Sequence, residues 1–257
     1  MDGTGAWTWL KPFLTTSVGN KFLVAVTGIG LVGFVIGHMI GNLLVFSGPD
    51  AINGYAKMLK STGGLLWIAR GGLLAMVVVH VALNIRLKLI ARKARPIAYA
   101  YPNTIQASRS SRTMMYTGSV VLAFILFHLL HFTWGTIATK PATVVNADGT
   151  VRVETVDTYY TDLRDRKGDH DVYSMVVDGF RRPAIAAFYI LAQLMLFFHL
   201  KHGVGSVFQT LGVNSPRFQK PIKGLAFAVS LGIFVGNTAI VAAILAGFVP
   251  EYPSFVF

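Results

Sequence analysis

Residues 184–203 read AIAAFYILAQLMLFFHLKHG, an apolar run that carries His199 and His202 and no acid. With its continuation to about Leu211 it exceeds the ~20 residues that a helix needs to cross a ~30 Å hydrocarbon core. A histidine in such a segment is costly, since an unpaired polar group in hydrocarbon loses several kcal/mol, and it is rarely idle there.

Four more segments share this character. Spans are expected at about 21–46, 65–90, 114–137, 184–211 and 224–249. The period-two alternation of a membrane β-barrel is absent. Only 13% of the 257 residues are charged, about half the usual globular share, and the mean hydropathy is +0.56. The expected fold is an all-α integral membrane bundle of five transmembrane helices, one membrane domain over 1–257. A soluble helical protein with a large core has no need of five runs this long. The chain has no cysteine, which excludes disulfides, thiolate metal sites and iron–sulfur ligation by this chain. Its net charge of +12 is read as a topology signal, and no nucleic-acid partner is expected.

Lysine and arginine mark the cytoplasmic side. The connection after the second span holds Arg86, Lys88, Arg92, Lys93, Arg95, Arg109 and Arg112 without an acid. Connection four adds Arg217, Lys220 and Lys223, and the N-terminus adds Lys11 and Lys21. The third connection, about 139–183, has seven basic residues, but they are interleaved with eight of the chain's eleven acids. The N-terminus and loops two and four are thus expected in the cytoplasm, with loops one and three and the C-terminus outside.

Residues 1–20, with Trp7, Trp9, Lys11 and Pro12, lack a small-residue cleavage site after an apolar core and read as a cytoplasmic or interfacial segment. Loop three is too long for a simple connector. Its Asp169-His170-Asp171 cluster hints at a metal, but adjacent loop residues chelate one ion poorly. The preferred reading is a structural loop that caps the bundle.

Six of the seven histidines, His38, His80, His128, His131, His199 and His202, lie in or at the edge of four spans. Depth groups them. Spans one and three run outward, two and four inward. At ~1.5 Å per residue, His38 lies ~25 Å and His128 ~20 Å from the inner end of its helix, whereas His80 and His199 sit nearer the inner ends. This pairs His38 with His128 in the outer half and His80 with His199 in the inner half. Two histidines at one level on facing helices suit one heme iron between them, and a six-coordinate bis-histidine heme suits electron transfer rather than oxygen activation. His202 lies one turn from His199, so helix geometry does not choose between them, although Lys201 marks the boundary and favours the deeper His199. His128 is favoured over His131 by the same logic.

Gly28, Gly30, Gly33 and Gly37 thin the first helix, either for a flat macrocycle or for ordinary small-residue packing. Asn42 and Asn84, one turn beyond their histidines, share a face with them and are placed to bond locally. Arg109 and Arg112 stand at the inner mouth of span three, facing heme propionates or lipid phosphates, or acting only as topology determinants.

Four motifs, one per helix, carry a resemblance. They are Val35-Ile36-Gly37-His38-Met39, Val79-His80-Val81-Ala82-Leu83-Asn84, Phe127-His128-Leu129-Leu130-His131-Phe132, and His199-Leu200-Lys201-His202-Gly203 through Thr210-Leu211-Gly212. In order, before a fifth helix without one, they resemble the diheme cytochrome b membrane anchor of bacterial succinate dehydrogenases and fumarate reductases, the single-chain five-helix type of succinate:quinone oxidoreductase. The resemblance covers the whole chain. It implies two hemes b, with axial ligands His38 and His128 for the outer and His80 and His199 for the inner. Gly203 and Gly212, four and thirteen residues past His199, match the family's count. It further implies a flavoprotein subunit with FAD and an iron–sulfur subunit on the cytoplasmic face of a bacterial inner membrane. Electrons would pass to or from a quinone (menaquinone or ubiquinone) that reacts in this chain, with assembly into oligomers of complexes left open. Candidate propionate or quinone contacts are Ser17, Lys21, Arg109, Arg112, His131 and His202, together with the aromatics of loop three.

One departure stands out. Some fumarate reductase relatives carry a proton-handling glutamate two residues before the fourth ligand, where this chain has Phe197. No span contains an acid, which favours succinate oxidation over fumarate reduction. Two alternatives are a heme b subunit of another quinone-linked dehydrogenase, such as a hydrogenase or formate dehydrogenase, and a heme-free transporter with a histidine relay. The spans lack the acids and paired broken helices usual in transporters.

Overall fold

The computed structural model describes residues 8, 11, 13–95, 97, 101, 107–146 and 150–257, the side chains of 152–154 excepted. The interfacial N-terminal reading rests largely on residues outside this set, Trp7, Trp9 and Pro12 among them. Five helices are long and apolar enough to cross a membrane. They are α1 (Ser17–Leu43, extended by a 3-10 turn Leu44–Ser47), α3 (Gly64–Lys93), α5 (Met114–His128, extended by a π-helical turn Leu129–Thr133), α7 (Pro183–Thr210) and α8 (Pro216–Leu245). Shorter elements fill the connections: α2 (Pro49–Ser61), α4 (Arg109–Arg112) and α6 (Val172–Arg181). Helices α2, α7 and α8 begin on proline, whose missing N–H costs nothing at a first turn. The α1 start is capped by Thr16, whose hydroxyl accepts from the Gly19 N–H.

Several span ends depart from the hydropathy reading: the first starts at Ser17 rather than 21 and the fifth ends at Leu245 rather than 249. The third stops at Thr133 rather than 137, because Gly135 turns the chain at φ 63°, a left-handed conformation natural to glycine. The fifth starts at Pro216 rather than 224. Arg217, Lys220 and Lys223, assigned to a loop by their charge, are helical, since backbone hydrogen bonding continues past the point where apolarity ends.

Helix α7 packs against α8, α5 and α1, and α1 packs against α3 and α8. Large apolar side chains such as Phe22, Ile29, Phe34, Leu74, Val78 and Leu225 point outward, as a lipid-facing surface requires. The dense core lies at one end of the bundle, under a folded cap. Strands β1 (Thr139–Val145) and β2 (Val151–Tyr159) pair antiparallel from Thr139↔Tyr159. A short β3 (Phe255–Val256) from the C-terminus adds to β1 in parallel. This small sheet is an addition to the expected all-α bundle. Tyr160, Leu163, Tyr173 and Val177 of the cap are buried with Val45, Ile52 and Ile244.

Loop one, loop three and the C-terminus meet at this end. The buried Asp171 carboxylate accepts from Asn53 Nδ2 (3.2 Å), the Ser174 N–H (3.0 Å) and Ser254 Oγ (2.9 Å). At the opposite end the Arg86 guanidinium donates to the carbonyls of Leu14 and Thr15, and α4 packs on α7.

Candidate functional site

The inner histidines are held by a duplicated device. Thr27 on α1 turns its hydroxyl back to the Leu23 carbonyl (2.8 Å). Thr117 on α5 does the same toward the carbonyls of Met114 (3.2 Å) and Thr113 (3.3 Å). Such back-bonding is how a threonine satisfies itself within a helix, and it uses the one proton a hydroxyl owns. The oxygen is left as an acceptor. His80 Nδ1 lies 3.1 Å from Thr27 Oγ1, and His199 Nδ1 lies 3.4 Å from Thr117 Oγ1. Each threonine oxygen is thus placed to accept an Nδ1–H, and His80 has the Val24 carbonyl beside it as well; in that tautomer the lone pair is on Nε2. Both threonines are buried.

A glycine follows each threonine. A Cβ added to Gly28 would stand 3.4 Å from His80 Cε1, and one on Gly118 would stand 3.3 Å from His199 Cε1. The small residues let the imidazoles lie against the neighbouring backbone. Asn84 Nδ2 donates to the His80 carbonyl at 2.7 Å, the local bond expected of it.

The outer pair is built differently. The rings of His38 and His128 meet edge to face with centres 5.7 Å apart, and Phe34 stacks on His38. Tyr189 of α7 stands between two histidines of α5: its hydroxyl is 3.4 Å from His128 Nδ1 and 2.9 Å from His131 Nδ1. His131 is fully buried, stacked on Phe132 at 4.0 Å and lying under Gly179 of α6. His131 lies in the π-helical turn that follows His128, with its ring against Tyr160 and Gly179 of the cap. Its Nε2 has no hydrogen-bond partner among the described residues.

The other candidates fall as follows. Ser17 and Lys21 are exposed on the first turns of α1, and Arg109 and Arg112 are exposed on α4. All four sit at the end of the inner pair. His202 follows His199 by one turn and has no hydrogen-bond partner among the described residues. Phe197 packs on Phe227 and Phe234 of α8, and Lys201 lies over the rings of Phe197 and Phe227. The Asp-His-Asp cluster is tied into the cap: Asp169 pairs with Lys57 at 2.8 Å, and Asp171 is the cap's central acceptor. Burial, and then the charges of Lys60 and Arg164, push His170 down to about 4.

The residues can be tested against a heme. Two imidazoles bonded to one metal at about 2 Å have ring centres about 6 Å apart, and the outer pair is at 5.7 Å. The inner histidines have oxygen acceptors beside Nδ1, which suits the tautomer that a metal requires, with Nδ1–H engaged and Nε2 free. Added Cβ atoms on Gly33 and Gly37 of α1 and on Gly203 of α7 meet nothing within 4 Å. Both donor sets fit. Among the described residues no group of three or more histidines and carboxylates is placed to hold a bare ion.

Thr27, Thr117 and Tyr189 do not figure in the sequence reading. A signal for the threonines exists: each Thr-Gly pair, Thr27-Gly28 and Thr117-Gly118, stands eleven residues before the outer histidine of its own helix. Eleven residues are about three turns, so threonine and histidine share one face at levels ~16 Å apart. No family model, curated protein or solved structure gives a significant match to this chain.

Proposed function

We propose that this chain is the diheme cytochrome b anchor of a succinate:quinone oxidoreductase in a bacterial inner membrane. It passes electrons between an iron–sulfur partner and a membrane quinone, while a flavoprotein subunit handles the dicarboxylate. The observation that supports the reading is the edge-to-face approach of His38 and His128, 5.7 Å between ring centres, with His80 and His199 each set against a threonine of a neighbouring helix. Heme iron held between two imidazoles exchanges single electrons and offers no open position to oxygen. The chain's own part is to hold the imidazoles with their Nδ1 protons engaged and to keep the two levels apart along the bilayer normal. The exposed basic end, with Arg92, Lys93, Arg109 and Arg112, suits acidic partner surfaces and lipid phosphates, and Ser17, Lys21 and His202 are the proposed contacts for propionates or quinone at this end.

The test is a reduced-minus-oxidised optical spectrum of purified protein. Two b-type hemes per chain are expected, with His80→Ala or His199→Ala removing one and His38→Ala or His128→Ala the other. Well-folded protein expressed with heme supply yet lacking heme absorbance would sink the proposal. Co-purification of a flavoprotein and an iron–sulfur subunit distinguishes this assignment from a hydrogenase or formate dehydrogenase subunit.

A further inference from the structure

The inner histidines are related by a pseudo-symmetry that the outer ones lack. Helix α1 offers Thr27-Gly28 to His80 of α3, and α5 offers Thr117-Gly118 to His199 of α7. In each case the threonine gives its proton to its own helix and turns its oxygen to the neighbour's ring nitrogen, and at His80 the Val24 carbonyl of the same helix lies within reach of the ring as well. We propose that Thr27 and Thr117 are a matched pair of positioning residues that set both the orientation and the electron-donating strength of the two inner imidazoles. The inference rests on the heme-binding reading above and names its control elements.

The nitrogen that would not bind the iron is the one these contacts address. An imidazole whose Nδ1–H is donated to an acceptor carries more electron density at Nε2 and is a more basic ligand. A richer ligand stabilises ferric over ferrous iron and lowers the potential. Both inner ligands receive this treatment from an uncharged oxygen inside the membrane, where no water competes for the bond. Carboxylates, the stronger acceptors used at many metal-bound histidines, are absent from the spans. At the outer level a single tyrosine hydroxyl is divided between His128 and His131. The two levels therefore have different ligand basicity by construction. The glycines matter to the same end: they bring each ring against the helix that carries its acceptor, and a larger side chain there would push it out of reach.

The experiment uses the protein with its hemes, purified from membranes, and follows each heme in a potentiometric optical titration, with electron paramagnetic resonance of the ferric low-spin signals alongside. Valine keeps the shape of threonine and removes the oxygen, and serine keeps the oxygen. Thr27→Val and Thr117→Val should each raise the inner-heme midpoint potential and move its low-spin signal, leaving the outer heme unchanged. The double variant should shift further in the same direction. Thr27→Ser and Thr117→Ser should restore the native value. Where a valine variant does not accumulate, Thr→Ala at the same position is read by the same criterion. Loss of the inner heme in a valine variant and its return in the serine variant also supports the proposal. Valine variants that retain both hemes with unchanged potentials and signals would overturn it, as would serine variants that behave like valine. An unmodified protein without heme would instead overturn the functional assignment.

Discussion

At the residue scale, Tyr189 carries more of the outer level than any other side chain. Its hydroxyl meets two histidines, and its ring touches Phe124, Phe127, Phe132 and Phe180. Tyr189→Phe keeps the rings packed but strips His131 of its one hydrogen bond, leaving both nitrogens of a fully buried imidazole without a partner. A buried polar group left unmade costs about 1–3 kcal/mol. The expected result is a lower Tm in detergent, together with a shift in the outer heme signal and none in the inner. Gly118→Val tests the inner level from the other side: branches beyond a Cβ already 3.3 Å from His199 must displace that ring. One heme's absorbance should be lost and the outer one retained. The histidines were legible because each breaks a long apolar run. Tyr189 was not, since a tyrosine in an aromatic-rich helix has nothing local to mark it.

At the element scale, the bundle is closest where glycine meets a flexible side chain. A Cβ on Gly236 of α8 would collide with Met39 Sδ of α1, and one on Gly30 of α1 would lie 2.5 Å from Met76 Sδ of α3. Gly232, one turn earlier on α8, faces open space. Overpacking an apolar contact costs roughly 1–3 kcal/mol, so Gly236→Leu should lower Tm and Gly232→Leu should leave it nearly unchanged. A similar contact joins α1 to the cap: a Cβ on Gly41 would lie 2.6 Å from the Tyr55 ring of α2. The existence and order of the five long helices follow from apolar length, whereas their ends follow from local backbone chemistry, Gly135 at one and Pro216 at another. The π-helical turn carrying His131 has no signature in the local sequence. It arises where α5 must turn its last residues under α6.

Over the whole molecule, the cap is a second centre of stability, packed by ordinary burial beside a bundle whose outer surface is apolar. Its polar hub is Asp171, and its titratable element is His170. That imidazole is held at about 4 in the folded cap against an unfolded value near 6.5, so it is neutral when folded. The unfolded cap binds the extra proton between these values, and stability is full above about pH 6.5 and falls as the pH drops toward 4. Between pH 7 and pH 5 the loss is roughly 2 kcal/mol, to be read as faster proteolysis or amide exchange of residues 150–181 at pH 5. His170→Gln should flatten that dependence. Asp171→Ala leaves Asn53, Ser254 and the Ser174 N–H without their shared acceptor, a loss of about 1–3 kcal/mol, and should loosen the cap at neutral pH.

Apolar run length, the spacing of the histidines and the distribution of lysine and arginine are local quantities. They suffice for five helices long and apolar enough to cross a membrane and for the proposal that the histidines lie at two depths, because a bilayer forces helices on any such run and depth follows from counting residues. Residues 184–203 said that much. They could not say that His199 rather than His202 finds a hydrogen-bond acceptor, since that acceptor is Thr117, 82 positions away on another helix. Nor could they say that loop three folds with the C-terminus into a sheet. Which nitrogen carries the proton, which glycine receives a ring and which tyrosine bridges two histidines all depend on atoms brought together only when the helices pack.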